Sequence, residues 1–164
     1  DLHSFPTRRS SDLAIALALI ALTMSITVGA QNIDKIYDEA KALYDAKNYK
    51  AALPKLKVAA EKGHKKAQYR LGRCYDKGHG VAEDNKVAFE WYQKSAAQGY
   101  AKGQYALGKC YMKGKGTTAD QEKAKLWLKK AVKNPKGGLK VKEKIKKEAK
   151  EGDKDAKNIQ KLLK

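Results

Sequence analysis

The sequence predicts an all-α protein, an α/α superhelix (solenoid) of helix–turn–helix repeats. Three observations predict it. Residues 67–102 and 103–138 align at a constant shift of 36 residues, and a fixed period in this range marks stacked supersecondary units. Within each segment apolar residues recur at helical spacing, as at Ala67, Leu71, Cys74 and Tyr75. A Gly-x-Gly step then interrupts both segments at the same place, Gly78-His79-Gly80 and Gly114-Lys115-Gly116, where glycine supplies the positive φ that ends a helix.

Composition narrows the class. The chain has 164 residues, 36 basic and 18 acidic, for a formal net charge of +18. Its 42% hydrophobic content can supply a core. Two cysteines are too few for a disulfide-framework domain. The positive excess implies attraction to something acidic and says nothing about fold.

Residues 1–13, DLHSFPTRRSSDL, fit the translation of a common sequencing adapter and are read as an artefactual extension, outside the fold. Leu13–Val28 is an apolar run of signal-peptide length, short for a membrane span. Val28-Gly29-Ala30 then offers small residues before Gln31. Residues 14–30 are therefore expected to be a truncated signal peptide, and the protein to be exported to the periplasm or envelope, with no membrane span after cleavage. An uncleaved N-terminal anchor is the alternative. Residues 31–164 retain 34 basic and 16 acidic residues, so the whole excess belongs to the domain.

Residues 31–66 carry two helical stripes, Ile36, Ala40 and Leu43, then Tyr49, Ala52, Leu56, Ala59 and Ala60, joined by Ala46-Lys47-Asn48 without a Gly-x-Gly step. They read as a degenerate tetratricopeptide-like unit, with Pro54 tolerated in the first turn of its second helix or kinking it. Residues 67–102 and 103–138 are the regular units. Their recurrent pairs include Gln68/Gln104, Tyr69/Tyr105, Leu71/Leu107, Gly72/Gly108, Cys74/Cys110 and Trp91/Trp127. Asp84 and Asp120 stand where the second helix needs an N-cap. Those second helices are expected to bury Ala88, Trp91, Tyr92 and Ala96, and Ala124, Trp127, Leu128 and Ala131. Gly72 and Gly108 lie mid-helix, where glycine costs about 1 kcal/mol relative to alanine, and close approach of the partner helix is the expected compensation. Residues 139–164 read as a Lys-rich capping hairpin, Leu139–Lys150 and Asp153–Leu163, turning at Gly152.

The pattern A-x-x-x-L-G-x-x-Y-x-x-G-x-G-V-x-x-D followed by A-x-x-W-Y, from Ala67 to Tyr92, resembles the Sel1-like repeat (SLR), a relative of the tetratricopeptide repeat (TPR). The second copy departs at Thr117 and Leu128. The resemblance implies a right-handed superhelix and a non-catalytic scaffold for protein–protein interaction.

Candidate chemistry is sparse. Equivalent helices of stacked units lie roughly 8–10 Å apart, whereas a disulfide needs Cα atoms within about 7 Å, so Cys74 and Cys110 are expected to be small buried thiols. No metal-ligand spacing, phosphate loop or nucleophile grouping is visible, so no catalysis, metal or cofactor is expected. If the first helices line the inner surface, Tyr37, Tyr69 and Tyr105 form one row. Lys41, Arg73 and Lys109 follow one turn later on the same face, and Lys66 and Lys102 precede the last two tyrosines. The row suits an extended acidic peptide or partner protein, since tyrosine gives contact area and Lys or Arg captures carboxylates. Packing of the tyrosines between repeats is the other reading. The lysines concentrate toward the C-terminus, nine against two acidic residues in 103–138 and ten against five in 139–164. General binding of a polyanion, an envelope glycan or phosphate-bearing lipid, is therefore an alternative, with no motif for specific nucleic-acid recognition.

Overall fold

A computed structural model describes residues 32–164; the adapter-like stretch and the expected signal peptide lie outside them. The described residues form eight helices and no strand: α1 (32–45), α2 (Tyr49–Glu61), α3 (Lys65–Lys77), α4 (Asn85–Ala97), α5 (Ala101–Lys113), α6 (Gln121–Lys133), α7 (Gly138–Lys150) and α8 (Lys154–Leu163). From α2 onward each helix packs on the next, most extensively α3 on α4 and α5 on α6. α5 also touches both α3 and α7, so α3, α5 and α7 form one row of first helices. This is the expected all-α solenoid.

The regular hairpins are built by local chemistry. α3 and α5 end at Gly78 and Gly114, both left-handed (φ 65° and 69°). Each loop closes by a backbone bond, Asp84 N–H to Tyr75 and Asp120 N–H to Tyr111. The Asp84 carboxylate accepts from the N–H groups of Lys86 and Val87, and Asp120 from that of Lys123, satisfying donors that a helix start leaves open. The outer hairpins turn more tightly, through 46–48 and 151–153. Pro54 is the sixth residue of α2, beyond its first turn, so the first of the two expected placements does not hold. It is exposed, and its ring leaves the carbonyl of the equally exposed Lys50 without a helical donor.

Glycine sets the separation of the helices. A Cβ on Gly72 would lie 2.7 Å from the Tyr92 ring, and one on Gly108 2.7 Å from Leu128 Cγ. The expected close approach is therefore present in both hairpins. The second glycine of each loop does a different job, which the sequence did not disclose. Gly80 (φ 75°) lies against the Tyr49 backbone and Gly116 (φ 72°) against the Asn85 carbonyl, the first residues of α2 and α4. Each loop thus locks onto the start of the preceding hairpin's second helix. The residue between the glycines adds a staple. His79 stacks on Tyr49 (ring centroids 4.0 Å apart) and its Nδ1 shares a hydrogen bond with the Tyr44 hydroxyl at 3.0 Å. Lys115 reaches back to Asp76.

The core runs through the stack in layers of small residues around one large aliphatic side chain. Leu56, Leu71, Leu107, Leu128 and Ile159 are its fully buried anchors. Buried polar groups tie helices together both between and within hairpins. Gln68 donates to the Ala60 carbonyl at 3.1 Å and accepts from Gln98 at 2.7 Å, and its counterpart Gln104 accepts from Asn134 at 3.1 Å. Trp91 and Trp127 are half-buried rather than buried as expected. Their outer faces carry Lys94 and Lys130 at 4.2 and 4.5 Å from the ring centroids, a cation–π contact.

Two predictions follow the packing. Gly108→Ala gains helix propensity but overfills a closed contact, and is expected to lose about 1–3 kcal/mol of stability in chemical denaturation; unchanged or raised stability would contradict the close approach. The second concerns acid. His64 caps α3 by accepting from Ala67 N–H at Nδ1 (3.1 Å), which leaves Nε2–H to donate to Asp34 at 3.2 Å. Burial foremost holds the imidazoles of His64 and His79 below their ordinary 6.5, outweighing the upward pull of Asp34 on His64, and Arg73 and Lys77 add to the effect at His79. Depressed folded values mean that this stability is complete above pH 6.5 and is lost as the unfolded chain, then the folded one, takes up protons. The melting temperature is expected to fall between pH 7 and 5, and His64→Asn, which keeps a cap without titrating, to reduce the fall.

Candidate functional site

Two adjoining cavities open on the row of first helices, of about 370 and 430 Å³. Tyr69 and Arg73 of α3, Tyr105 of α5 and Lys144 of α7 line both. The helical period places them there. Arg73 follows Tyr69 by one turn, and the 36-residue shift brings Tyr105 to the matching position on α5.

Of the residues expected to bind a partner, the structure gathers Tyr69, Arg73, Lys102, Tyr105 and Lys109 around the two cavities. Tyr37, Lys41 and Lys66 line neither. The tyrosine row is not an exposed ladder. Tyr37 and Tyr105 are each only 6% exposed. Tyr37 packs on His64 with ring centroids 4.2 Å apart, and its hydroxyl accepts from Arg70 at 3.2 Å. Tyr105 belongs to the cluster containing Val141 and Ile145, because α7 covers the face of α5 that the sequence left open. Its hydroxyl donates to Glu148 at 3.4 Å, and Lys109 and Lys144 lie 5.9 and 5.2 Å from its ring. Tyr69 is half-buried beside Tyr100, with ring centroids 5.6 Å apart. Lys41 is exposed and paired with Asp45 at 2.8 Å, and Lys66 is exposed near the Tyr37 ring.

The two cavities differ in charge balance. In the larger one the cations it does not share with the smaller all have carboxylate partners: Lys109 and Lys113 meet Asp155, and Lys77 and Lys115 meet Asp76. In the smaller one Arg73, Lys102, Lys136, Lys140 and Lys144 converge, and its lining contains no carboxylate. Lys144 alone of the five has an ion-pair partner among the described residues, Glu148 at 3.6 Å. Arg73 is half-buried with none, whereas Arg70 is held by Asp45 at 2.9 Å. Lys102 keeps exposed surface, yet its ammonium is partly desolvated. That desolvation first, then the positive field of Arg70, Lys144, Lys140 and Arg73, holds it below its ordinary 10.5. The helices flanking this cavity, α5 and α7, begin at Tyr100 and Gly137 with no side-chain cap, whereas α2, α3, α4, α6 and α8 are capped by side chains.

Lys136, Lys140 and Lys144 were missed by sequence reasoning. A signal was present, since Lys140 and Lys144 share a helical face and Tyr105 plus the repeat period falls at Val141 between them. Cys74 and Cys110 are free and buried. Burial pushes their thiols up to about 11 and about 12, so both are protonated at neutral pH. Among the described residues no group of three or more His, Cys, Asp or Glu could hold a metal ion, and no helix is long and apolar enough to cross a membrane.

A stack of helical hairpins with a cationic, tyrosine-lined groove on its first-helix row is a repeat protein of the α/α solenoid class. The Sel1 repeat family model matches residues 65–100 and 101–135, and these two segments are Sel1 repeats. A Sel1 repeat protein from Oxalobacter formigenes shares 38% identity over 58% of this chain and 40% of its own, with a TM-score of 0.56. A protective antigen present in uropathogenic Escherichia coli strains, displaying an SLR fold, shares 30% identity over 65% of this chain and 24% of its own, with a TM-score of 0.61. The chain thus spans less than half the length of either solved relative. No curated protein matches it. Sel1 repeats generally mediate protein–protein interaction and are typically non-catalytic scaffolds.

The burial of Tyr105 makes it a packing residue first. Tyr105→Ala is expected to lose about 3 kcal/mol of folding stability, as for other large aromatic truncations, whereas Tyr105→Phe retains most of it. A Tyr105→Ala variant as stable as the parent would restore the exposed-ladder reading.

Proposed function

We propose that the protein is an exported, non-catalytic adaptor that binds an extended acidic segment of a partner protein along the groove between α3, α5 and α7. The observation that carries this reading is the charge imbalance of the smaller cavity. Its cations come from three successive hairpins, and its lining offers them no carboxylate. Like charges gathered in a partly desolvated site repel one another, and an incoming carboxylate relieves that repulsion while forming charge-assisted hydrogen bonds. Tyr69 and Tyr100 supply aromatic contact area beside the cations. The export part of this reading is supported by the apolar run at Leu13–Val28 and its small-residue exit, and on it the partner would be a periplasmic or envelope protein.

A second reading has its own observation. The net charge of +18 is spread well beyond the groove, as in general attraction to an envelope polyanion. The two readings differ in what a single residue does. Arg73→Ala is expected to weaken binding of a fluorescent Glu-rich peptide about tenfold, the effect of losing one charge-assisted bond. Lys57→Ala and Lys86→Ala, which lie outside both cavities, are expected to change it less than twofold. Equal losses at all three positions, with a steep common salt dependence, would favour the polyanion reading.

A further inference from the structure

We propose that the smaller cavity is a subsite for a phosphate monoester carried on that acidic segment. The inference rests on the inner-groove reading and adds the chemistry of the anchoring group. The cavity holds about 370 Å³, room for a phosphorylated side chain. Its cations approach from three sides: Arg73 from α3, Lys102 from α5, and Lys140 and Lys144 from α7. A planar carboxylate carries one charge and directs its two oxygens into one plane. A phosphate monoester carries about −1.5 to −2 at neutral pH and spreads three acceptor oxygens tetrahedrally. Donors arriving from three elements match the second shape, and several cations without carboxylates in the lining match the second charge.

Arg73 is the residue most directly explained. A half-buried guanidinium is ordinarily paired, as Arg70 is with Asp45. Arg73 lies over the face of Tyr44, 5.8 Å from its ring centroid, and also borders the cavity. It is therefore already oriented, and an anion entering the cavity meets a donor fork whose rotameric freedom has been spent. The starts of α5 and α7, both without side-chain caps, border the same space through Ala101 and Gly137. Their partial positive charge adds to that of the side chains, which carry the assignment.

The larger cavity gives an internal comparison. Besides Lys144, which borders both, it has four lysines, Lys77, Lys109, Lys113 and Lys115, but Asp76 and Asp155 already occupy them. It therefore suits the uncharged or singly charged stretch of a segment whose phosphorylated residue is anchored next door.

The test is calorimetric titration of the full protein with two Glu-rich peptides that differ at one position, phosphoserine in one and glutamate in the other. The phosphopeptide is expected to bind at least tenfold more tightly, and Lys140→Ala/Lys144→Ala to weaken both peptides but the phosphopeptide more, so that its advantage is lost; an equal loss for both peptides would overturn the phosphate subsite. Circular dichroism of the variant checks that it folds. Equal affinity for the two peptides would overturn the phosphate subsite and leave the acidic groove standing. Binding of neither would overturn both. Glycerol phosphate and inorganic phosphate serve as separate probes of the source. The segment-borne assignment expects both to compete only weakly. Either one binding as tightly as the phosphopeptide would overturn it in favour of a free phosphate ligand.

Discussion

Close backbone approach at glycine is the constraint on which the rest of the molecule depends. Gly72 and Gly108 let Tyr92 and Leu128 sit directly on the first helix of their hairpins. Gly80 and Gly116 let each loop lie on the start of the preceding hairpin's second helix. The first pair fixes the separation within a unit and the second fixes the phase between units. With both fixed, α3, α5 and α7 fall into one row. A side chain at any of these four positions would push apart surfaces that bury the alanines and leucines of the core, and dispersion falls steeply with separation.

The groove is a consequence of that phase. Residues from three hairpins reach one cavity only because successive units repeat with nearly the same offset. The protein then treats its positive charge in two ways. Asp76 and Asp155 bind the cations of the larger cavity, turning them into internal ties between units. In the smaller cavity the lining holds no such carboxylate, and Arg73, Lys102, Lys136 and Lys140, without ion-pair partners among the described residues, remain available to an external anion. Net charge alone would describe both regions alike. What separates them is which lysines have a carboxylate within reach.

Much of the architecture was legible in the sequence because it is written in residues with narrow physical uses. Glycine at a fixed period marks a turn or a contact, aspartate after a loop marks a helix start, and alanine and leucine at helical spacing mark a buried face. The site was only partly legible. Helical spacing put Tyr37, Tyr69 and Tyr105 on one face, but it cannot say whether another hairpin covers that face. His64 covers Tyr37, and α7 covers Tyr105. α7 itself lacks the Leu-Gly and Tyr signature of α3 and α5, so its place in the inner row, and with it the role of Lys140 and Lys144, was hidden by its lysine content. The reach of His79 and Lys115 back to the preceding hairpin was also invisible, since loop residues show no period that betrays their contacts.

The account stands most directly on where an acidic ligand settles. Amide chemical shifts of isotope-labelled protein, followed as a Glu-rich peptide is added, would locate it. Perturbations confined to α3, α5 and the first half of α7, strongest around Arg73, Lys102 and Lys140, are the expected result. Shifts spread over lysines of the second helices, or centred elsewhere on the solenoid, would contradict it.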